Sequence, residues 1–261
     1  MPIIHCNFYA QTLQNSTSVT VYLPLAKNAD RGFMTLDEAY SKRPVKILYL
    51  LHGLHGSDTD WIRKTNVERY AEEAGVALVL PSVQHSFYCD MDCGLLYQQF
   101  ITEELPRFIR FAFSLSSKRE NTYIAGCSMG GYGAMKMALL RPEQYAAAFS
   151  FSGALSMEAI CNLGGSSQQE ALSHVFGKPE ERTGGENDLF ALAQKNKANN
   201  LPKLFFSCGS EDRLCYQMNV DFKAHLEQLA IPYQYEEAPV GHSWEFWDEQ
   251  VKKAMQTISQ A

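Results

Sequence analysis

A chain of 261 residues with 46% hydrophobic and 20% charged side chains has apolar material for a large core and falls outside the disordered, fibrous and collagen-like classes. Its formal net charge of −6 comes without a Lys/Arg run or a basic stripe, which argues against nucleic acid and anionic membrane as partners. A small neutral or weakly cationic substrate fits that balance better.

No basic segment leads into an N-terminal apolar run and no 18-residue apolar stretch occurs, so a cytoplasmic protein is expected. Seven cysteines, an odd number with no Cys-x-x-Cys, suit a reducing compartment better than a disulfide framework. One domain spanning 1–261 is the expected organisation, and a homo-oligomer is left open.

Taken in order, residues 3–9 and 17–23 are β-rich runs around a polar loop, which predicts an opening hairpin. Residues 26–44 read as a surface loop. Residues 45–51 are nearly all apolar and β-prone, as a strand covered on both faces should be, and they run into His52-Gly53-Leu54-His55-Gly56. Thr65-x-x-Glu68 has the form of a capping box, starting a helix that Gly75 stops. A short buried strand follows at 76–80. The aromatic, irregular stretch 82–94 is expected near the mouth of the site. Helical spacing over 95–113 places Leu105, Ile109 and Phe113 on one stripe, with a kink expected at Pro106.

A short apolar strand that opens the stretch Thr122 to Lys136 enters a glycine-crowded turn, Gly126-Cys127-Ser128-Met129-Gly130, and leaves as a helix to about residue 140. A serine on such a strand-to-helix turn is strained, and neighbours two residues away must lack side chains for the turn to close. A P-loop would need Lys and Ser or Thr where Tyr132 and Gly133 stand, and a dinucleotide fingerprint would need Gly at Lys136. The pattern therefore reads as a nucleophile elbow. Beyond it lie a strand at 145–151, a polar, glycine-paired insertion at 154–200, a strand at 204–207, a helix over 215–229, a short strand at 233–236 and a closing helix at 243–258. The glycine pairs and amides of the insertion suggest a polar rim over a shallow pocket. Strands alternating with helices after a hairpin predict an α/β fold with a mostly parallel, doubly wound sheet, whose ligands bind at the carboxyl ends of the strands.

Serine alone is a weak nucleophile, so an elbow needs a base and an acid that orients it. In this topology they follow in the order acid, then histidine, on loops after later strands. Glu211 and Asp212 follow one such strand and His242 follows the last. Asp212 is the preferred acid, with Glu211 and Asp221 as alternatives. The oxyanion donors expected are the backbone N–H groups of Met129, next to the nucleophile, and Leu54, in the His-Gly-rich loop. His52 and His55 are expected to brace that loop. This chemistry calls for no cofactor and no metal; His85, Cys89 and Cys93 have a spacing that could suit an ion, but the segment lacks a second ligand pair.

These segments, with Arg63 to Arg69, Ser117 to Glu120, Phe149 to Leu155 and Gly241-His-Ser-Trp244, resemble the esterase D branch of the α/β-hydrolases, most nearly its small bacterial tributyrin esterases. The resemblance spans nearly the whole chain. It implies an α/β-hydrolase fold and a serine carboxylesterase of short acyl chains, with Ser128, Asp212 and His242 as the triad and Leu54 and Met129 as oxyanion donors. S-formylglutathione hydrolases and feruloyl and acetyl-xylan esterases belong to the same branch and stand as alternatives. A catalytically silent ligand-binding member of the fold is the alternative outside enzymes. Cys127 and the Phe87-Tyr88-Cys89-Asp90 loop depart from the branch and bear on substrate identity.

Overall fold

A computed structural model describes residues 2–24, 35, 37, 46–116, 118–162, 166–178 and 182–261. The expected loop at 26–44 lies almost entirely outside them. Eight strands form a single sheet in the order β1-β2-β4-β3-β5-β6-β7-β8. The hairpin β1 (Ile3–Ala10) and β2 (Asn15–Tyr22) is antiparallel and joins β4 (Val76–Pro81) antiparallel. From β4 onward the pairings with β3 (Lys46–Leu51), β5 (Thr122–Cys127), β6 (Ala147–Phe151), β7 (Lys203–Gly209) and β8 (Tyr233–Ala238) are parallel.

The central strands are uniformly apolar because both their faces are covered. Side chains alternate across a strand, so Ile47, Tyr49 and Leu51 pack on one side with α3 (Leu105–Phe113), α4 (Met129–Leu140), α7 (Leu189–Asn196) and α8 (Tyr216–Gln228). Leu48 and Leu50 pack on the other with α1 (Asp60–Lys64), α2 (Val67–Ala74) and α9 (Trp244–Gln260). The insertion adds α5 (Met157–Asn162) and α6 (Ser166–Phe176) beside the carboxyl ends of the strands.

Two local expectations resolve differently. The Thr65/Glu68 capping box does not form: the Thr65 hydroxyl donates to Trp61 O at 2.5 Å, and the Asp248 carboxylate of α9 accepts from Asn66 N at 2.7 Å and from the Tyr70 hydroxyl at 2.9 Å. A tertiary carboxylate thus replaces the local cap, where the positive end of α2 favours it. At Pro106 the irregularity falls one turn earlier, as a π-helical turn at Phe100–Glu104 between Tyr97–Gln99 and α3. Proline cannot donate to Thr102 O, four residues back; the Gln144 side-chain amide supplies that bond at 3.0 Å. Gly75 ends α2 in a left-handed conformation, φ 67°, as the sequence predicts.

Candidate active site

Ser128 stands between β5 and α4 with φ 54° and ψ −119°. A non-glycine residue held there costs about 1–3 kcal/mol, so the surroundings must over-determine it. They do: Ser128 N donates to Phe151 O at 2.9 Å, and Ser128 O accepts from Tyr132 N and Ala154 N, each at 3.1 Å. A Cβ on Gly126 would overlap the backbone of Gly130, and one on Gly130 would overlap Leu51 O. The glycines at those positions let the helix start against the strand ends. The Ser128 hydroxyl makes no cap bond to α4 and faces the adjoining cleft.

The acid and base come from the loops after β7 and β8. Ser210 N donates to Ala238 O at 2.8 Å and Glu211 N to Val240 O at 3.1 Å. Gly209 permits the close approach, since a Cβ there would overlap Val240 O. This zipper brings His242 Nδ1 to Asp212 Oδ2 at 2.7 Å. The other Asp212 oxygen accepts from Leu214 N and Cys215 N, each at 3.0 Å. Burial by itself would raise the Asp212 carboxyl, but the bonds from His242 and from the Cys215 and Leu214 amides outweigh it and hold the group below the usual carboxylate range. Glu211 is exposed and Asp212 buried, and Asp221 accepts from the exposed Gln217 side chain on α8. Of the three carboxylates considered, the structure brings only Asp212 to the histidine.

With Nδ1 engaged as donor, His242 Nε2 is the nitrogen left to accept a proton. Its ring stands edge-on to Trp247, centres 4.9 Å apart, in a row of aromatic contacts that continues through Trp244 to Trp61. Cys215 borders both parts of the site: it lines the cleft with Ser128, and its thiol belongs to a group with Asp212 and His242 whose donor atoms lie within 4.8 Å of one another. Burial, with Asp212 nearby, pushes that thiol well above its ordinary range. Asp212 Oδ2 and His242 Nδ1 are paired at 2.7 Å, and the Cys215 thiol stands beside that pair.

Leu54 and Met129 line the same cleft as Ser128. Met129 is the first residue of α4, so its N–H has no acceptor within the helix. Gly53 lies against the serine, close enough that a Cβ added to it would stand 3.5 Å from Ser128 Cβ. His52 braces this loop: buried, it donates from Nδ1 to Gly53 O at 2.7 Å and accepts at Nε2 from Val83 N at 3.1 Å, while the Tyr88 hydroxyl donates to His52 O at 2.9 Å. Burial lowers its basicity, which suits the accepting nitrogen. His55, exposed on the same loop, is hydrogen-bonded at 3.0 Å to His85 of the loop after β4.

The cleft encloses about 1000 Å³. Its walls are the 84–97 segment, most of which belongs to the 82–94 stretch expected there, and the insertion. Among the described residues the insertion lines the cleft with apolar side chains instead of the expected polar rim: α5 and α6 present Ile160, Ala171, Leu172 and Val175. They come from two separate short helices, so only the packed pair of helices gathers them into a wall. His85, Cys89 and Cys93 do not converge: Cys89 is buried against Lys136 and Tyr132, whereas His85 and Cys93 are exposed. Sequence reasoning also missed Lys136, wholly buried on α4, which donates to Tyr88 O at 3.2 Å and Asn187 Oδ1 at 2.6 Å and so ties the cleft floor to the insertion.

A strained serine on a glycine elbow, a buried aspartate on a histidine and an amide at a helix start are the parts of an acyl-transfer site. Comparison with known proteins agrees. The Esterase family model, described as a putative esterase, matches residues 10–258. The chain belongs to that family. An acetyl esterase from Caldicellulosiruptor saccharolyticus is 32% identical to this esterase over 267 residues, covering 99% of the chain and 98% of the relative. Among solved structures, the fluorophosphonate-binding serine hydrolase FphF of Staphylococcus aureus, with substrate bound, is 33% identical with a TM-score of 0.87, and S-formylglutathione hydrolase FrmB from the same organism is 33% identical with a TM-score of 0.84; in each case 99% of this chain and 98% of the other are covered. The protein is a serine esterase with an α/β-hydrolase fold. No described helix is long and apolar enough to cross a membrane.

Proposed function

We propose that this esterase hydrolyses small-molecule esters of short acyl chains, acetyl to butyryl, through an acyl-enzyme on Ser128. His242 Nε2 takes the serine proton as Oγ attacks the ester carbonyl and returns it to the leaving alcohol; water then repeats the sequence on the acyl-enzyme. Asp212 holds the imidazole in the Nδ1–H tautomer and stabilises the imidazolium. The Leu54 and Met129 amides receive the oxyanion charge. The observation that carries this reading is the His242–Asp212 bond of 2.7 Å, on an aspartate whose second oxygen is held by two amides.

The large apolar cleft bears on the substrate. A butyryl chain fills a small part of about 1000 Å³, at roughly 0.8 kcal/mol per buried methylene. Most of the cleft is therefore left to the alcohol side, and the substrate is a short-acyl ester of a bulky apolar alcohol. The short acyl side is supported by the acetyl esterase relative. All seven cysteines are free thiols, which supports a cytoplasmic, reducing location. A steady-state panel tests the specificity: kcat/KM should peak between acetate and butyrate for p-nitrophenyl esters, and 1-naphthyl acetate should exceed methyl acetate by on the order of 10²-fold. A maximum at octanoate or longer would make the cleft an acyl channel; preference for S-formylglutathione over every oxygen ester would make the enzyme a thioesterase.

A further inference from the structure

At the cleft entrance two histidines from different loops face each other. His55 belongs to the loop after β3 and His85 to the loop after β4; both are exposed and both line the cleft. His55 Nδ1 and His85 Nε2 are 3.0 Å apart, the ring centres are 4.5 Å apart and the rings are nearly perpendicular, at 87°. A straight N–H···N bond along both ring axes would hold the centres at about 5 Å or more. The shorter separation turns at least one ring axis away from the N···N line of this hydrogen-bonded pair. The same spacing suits two imidazole nitrogens that share one ion in place of a proton: nitrogens bound at about 2.0–2.1 Å to a zinc-like cation stand about 2.9–3.4 Å from each other.

The backbone under the pair is built rather than loose. His55 holds φ 64°, and the neighbouring Gln84 holds φ 52°, both left-handed. The two loops are stitched together by the His52–Val83 and Tyr88–His52 bonds. Among the described residues no lysine, arginine or carboxylate lines the cleft, so the imidazole pair is the grouping there suited to a cation of borderline softness, which prefers nitrogen donors.

We propose that His55 and His85 bind a divalent transition-metal ion of the zinc or nickel type across the cleft entrance. Two protein nitrogens leave the remaining coordination positions to water, so the site is of modest affinity and responds to metal supply. The hydrated ion narrows the entrance beside Leu54, and ester binding weakens while the chemistry at Ser128 is untouched. Metal binding here is independent of the ester-hydrolase reading; only its consequence for substrate rests on it.

The test uses the full chain in a Cys93→Ser background, which removes the exposed thiol. Ni²⁺ binding is followed by calorimetry, with wild-type His55 and His85 and then with His55→Gln, His85→Gln and both. Each single change should weaken binding at least tenfold, and the double change should abolish it. A Cys215→Ala variant, altering the other cluster of potential ligands, should bind Ni²⁺ as the parent does. Undiminished binding in the double variant, or loss on Cys215→Ala alone, would overturn the assignment. In the kinetic arm, saturating Zn²⁺ should raise KM for p-nitrophenyl acetate several-fold with kcat unchanged, reversibly on chelation, and the effect should vanish in His85→Gln. A fall in kcat at constant KM would refute narrowing of the entrance, and the calorimetric result stands or falls separately from it.

Discussion

Ser128 combines a strained backbone, φ 54° and ψ −119°, with a hydroxyl that takes no part in capping its helix. Strain of this kind persists where function requires it. Ser128→Ala should keep the far-ultraviolet circular dichroism of the parent and lower kcat by on the order of 10⁴ or more; a purified variant retaining a tenth of the activity would remove the serine from its role. The two adjacent carboxylates separate in the same way. Asp212→Asn presents the wrong face of an amide to His242 and should lower kcat by on the order of 10³–10⁴, whereas Glu211→Gln, on an exposed side chain, should cost less than about tenfold. The opposite ranking would transfer the role to Glu211. Linkage gives a further expectation for Asp212: its carboxyl is held below the usual range in the folded protein, so the unfolded chain binds that proton first as pH falls. Stability from this group is complete above about pH 4 and is lost as pH falls through the lower folded value.

Between elements, close approach decides the site. Gly126, Gly130 and Gly209 each stand where a Cβ would overlap backbone, the first two closing the elbow and the third seating the loop that carries His242. Alanine at any of them should destabilise by about 3 kcal/mol, against about 1 kcal/mol for Gly75→Ala, where φ is positive but the space is open. Thermal melting ranks these four variants directly, and a Gly126→Ala protein melting with the parent would show that the elbow yields. His52 supplies a pH signature at the same scale. Buried and hard to protonate, it accepts from Val83 N only when neutral. Its folded pKa is below the unfolded value of about 6.5, so stability is full above that pH and declines as pH falls below it. Melting temperature should fall between pH 7 and pH 5, and by a smaller amount in His52→Gln; equal slopes would release His52 from its bracing role. The elbow was legible in the sequence because its glycines are local to the serine. The cap of α2 was not: Thr65 and Glu68 have the right spacing, yet Asp248, 182 residues from Asn66, does the capping.

Over the whole molecule, strand alternation foretold the parallel sheet, and the order acid then histidine on successive loops is the order in which Asp212 and His242 meet. Both are properties of connectivity, which sequence carries directly. The cleft is a property of packing. Ile160 on α5 and Leu172 and Val175 on α6 look scattered in a polar segment and become one apolar wall only when the two helices stand beside the strand ends. For that reason the substrate preference rests on the folded cleft, and the replacement of Leu172 by Asp should raise KM for 1-naphthyl acetate more than for methyl acetate. Equal effects on the two esters would place the alcohol elsewhere.

The central claim is a covalent acyl-enzyme on Ser128, and mass spectrometry of the intact protein after brief acid quench from p-nitrophenyl butyrate reads it directly. A single added butyryl group is predicted, carried by the peptide containing Ser128, that appears with the nitrophenol burst, decays with turnover and is absent in Ser128→Ala. A butyryl group on any other residue at catalytic rates, or turnover at the parent's rate by the Ser128→Ala protein, would contradict it.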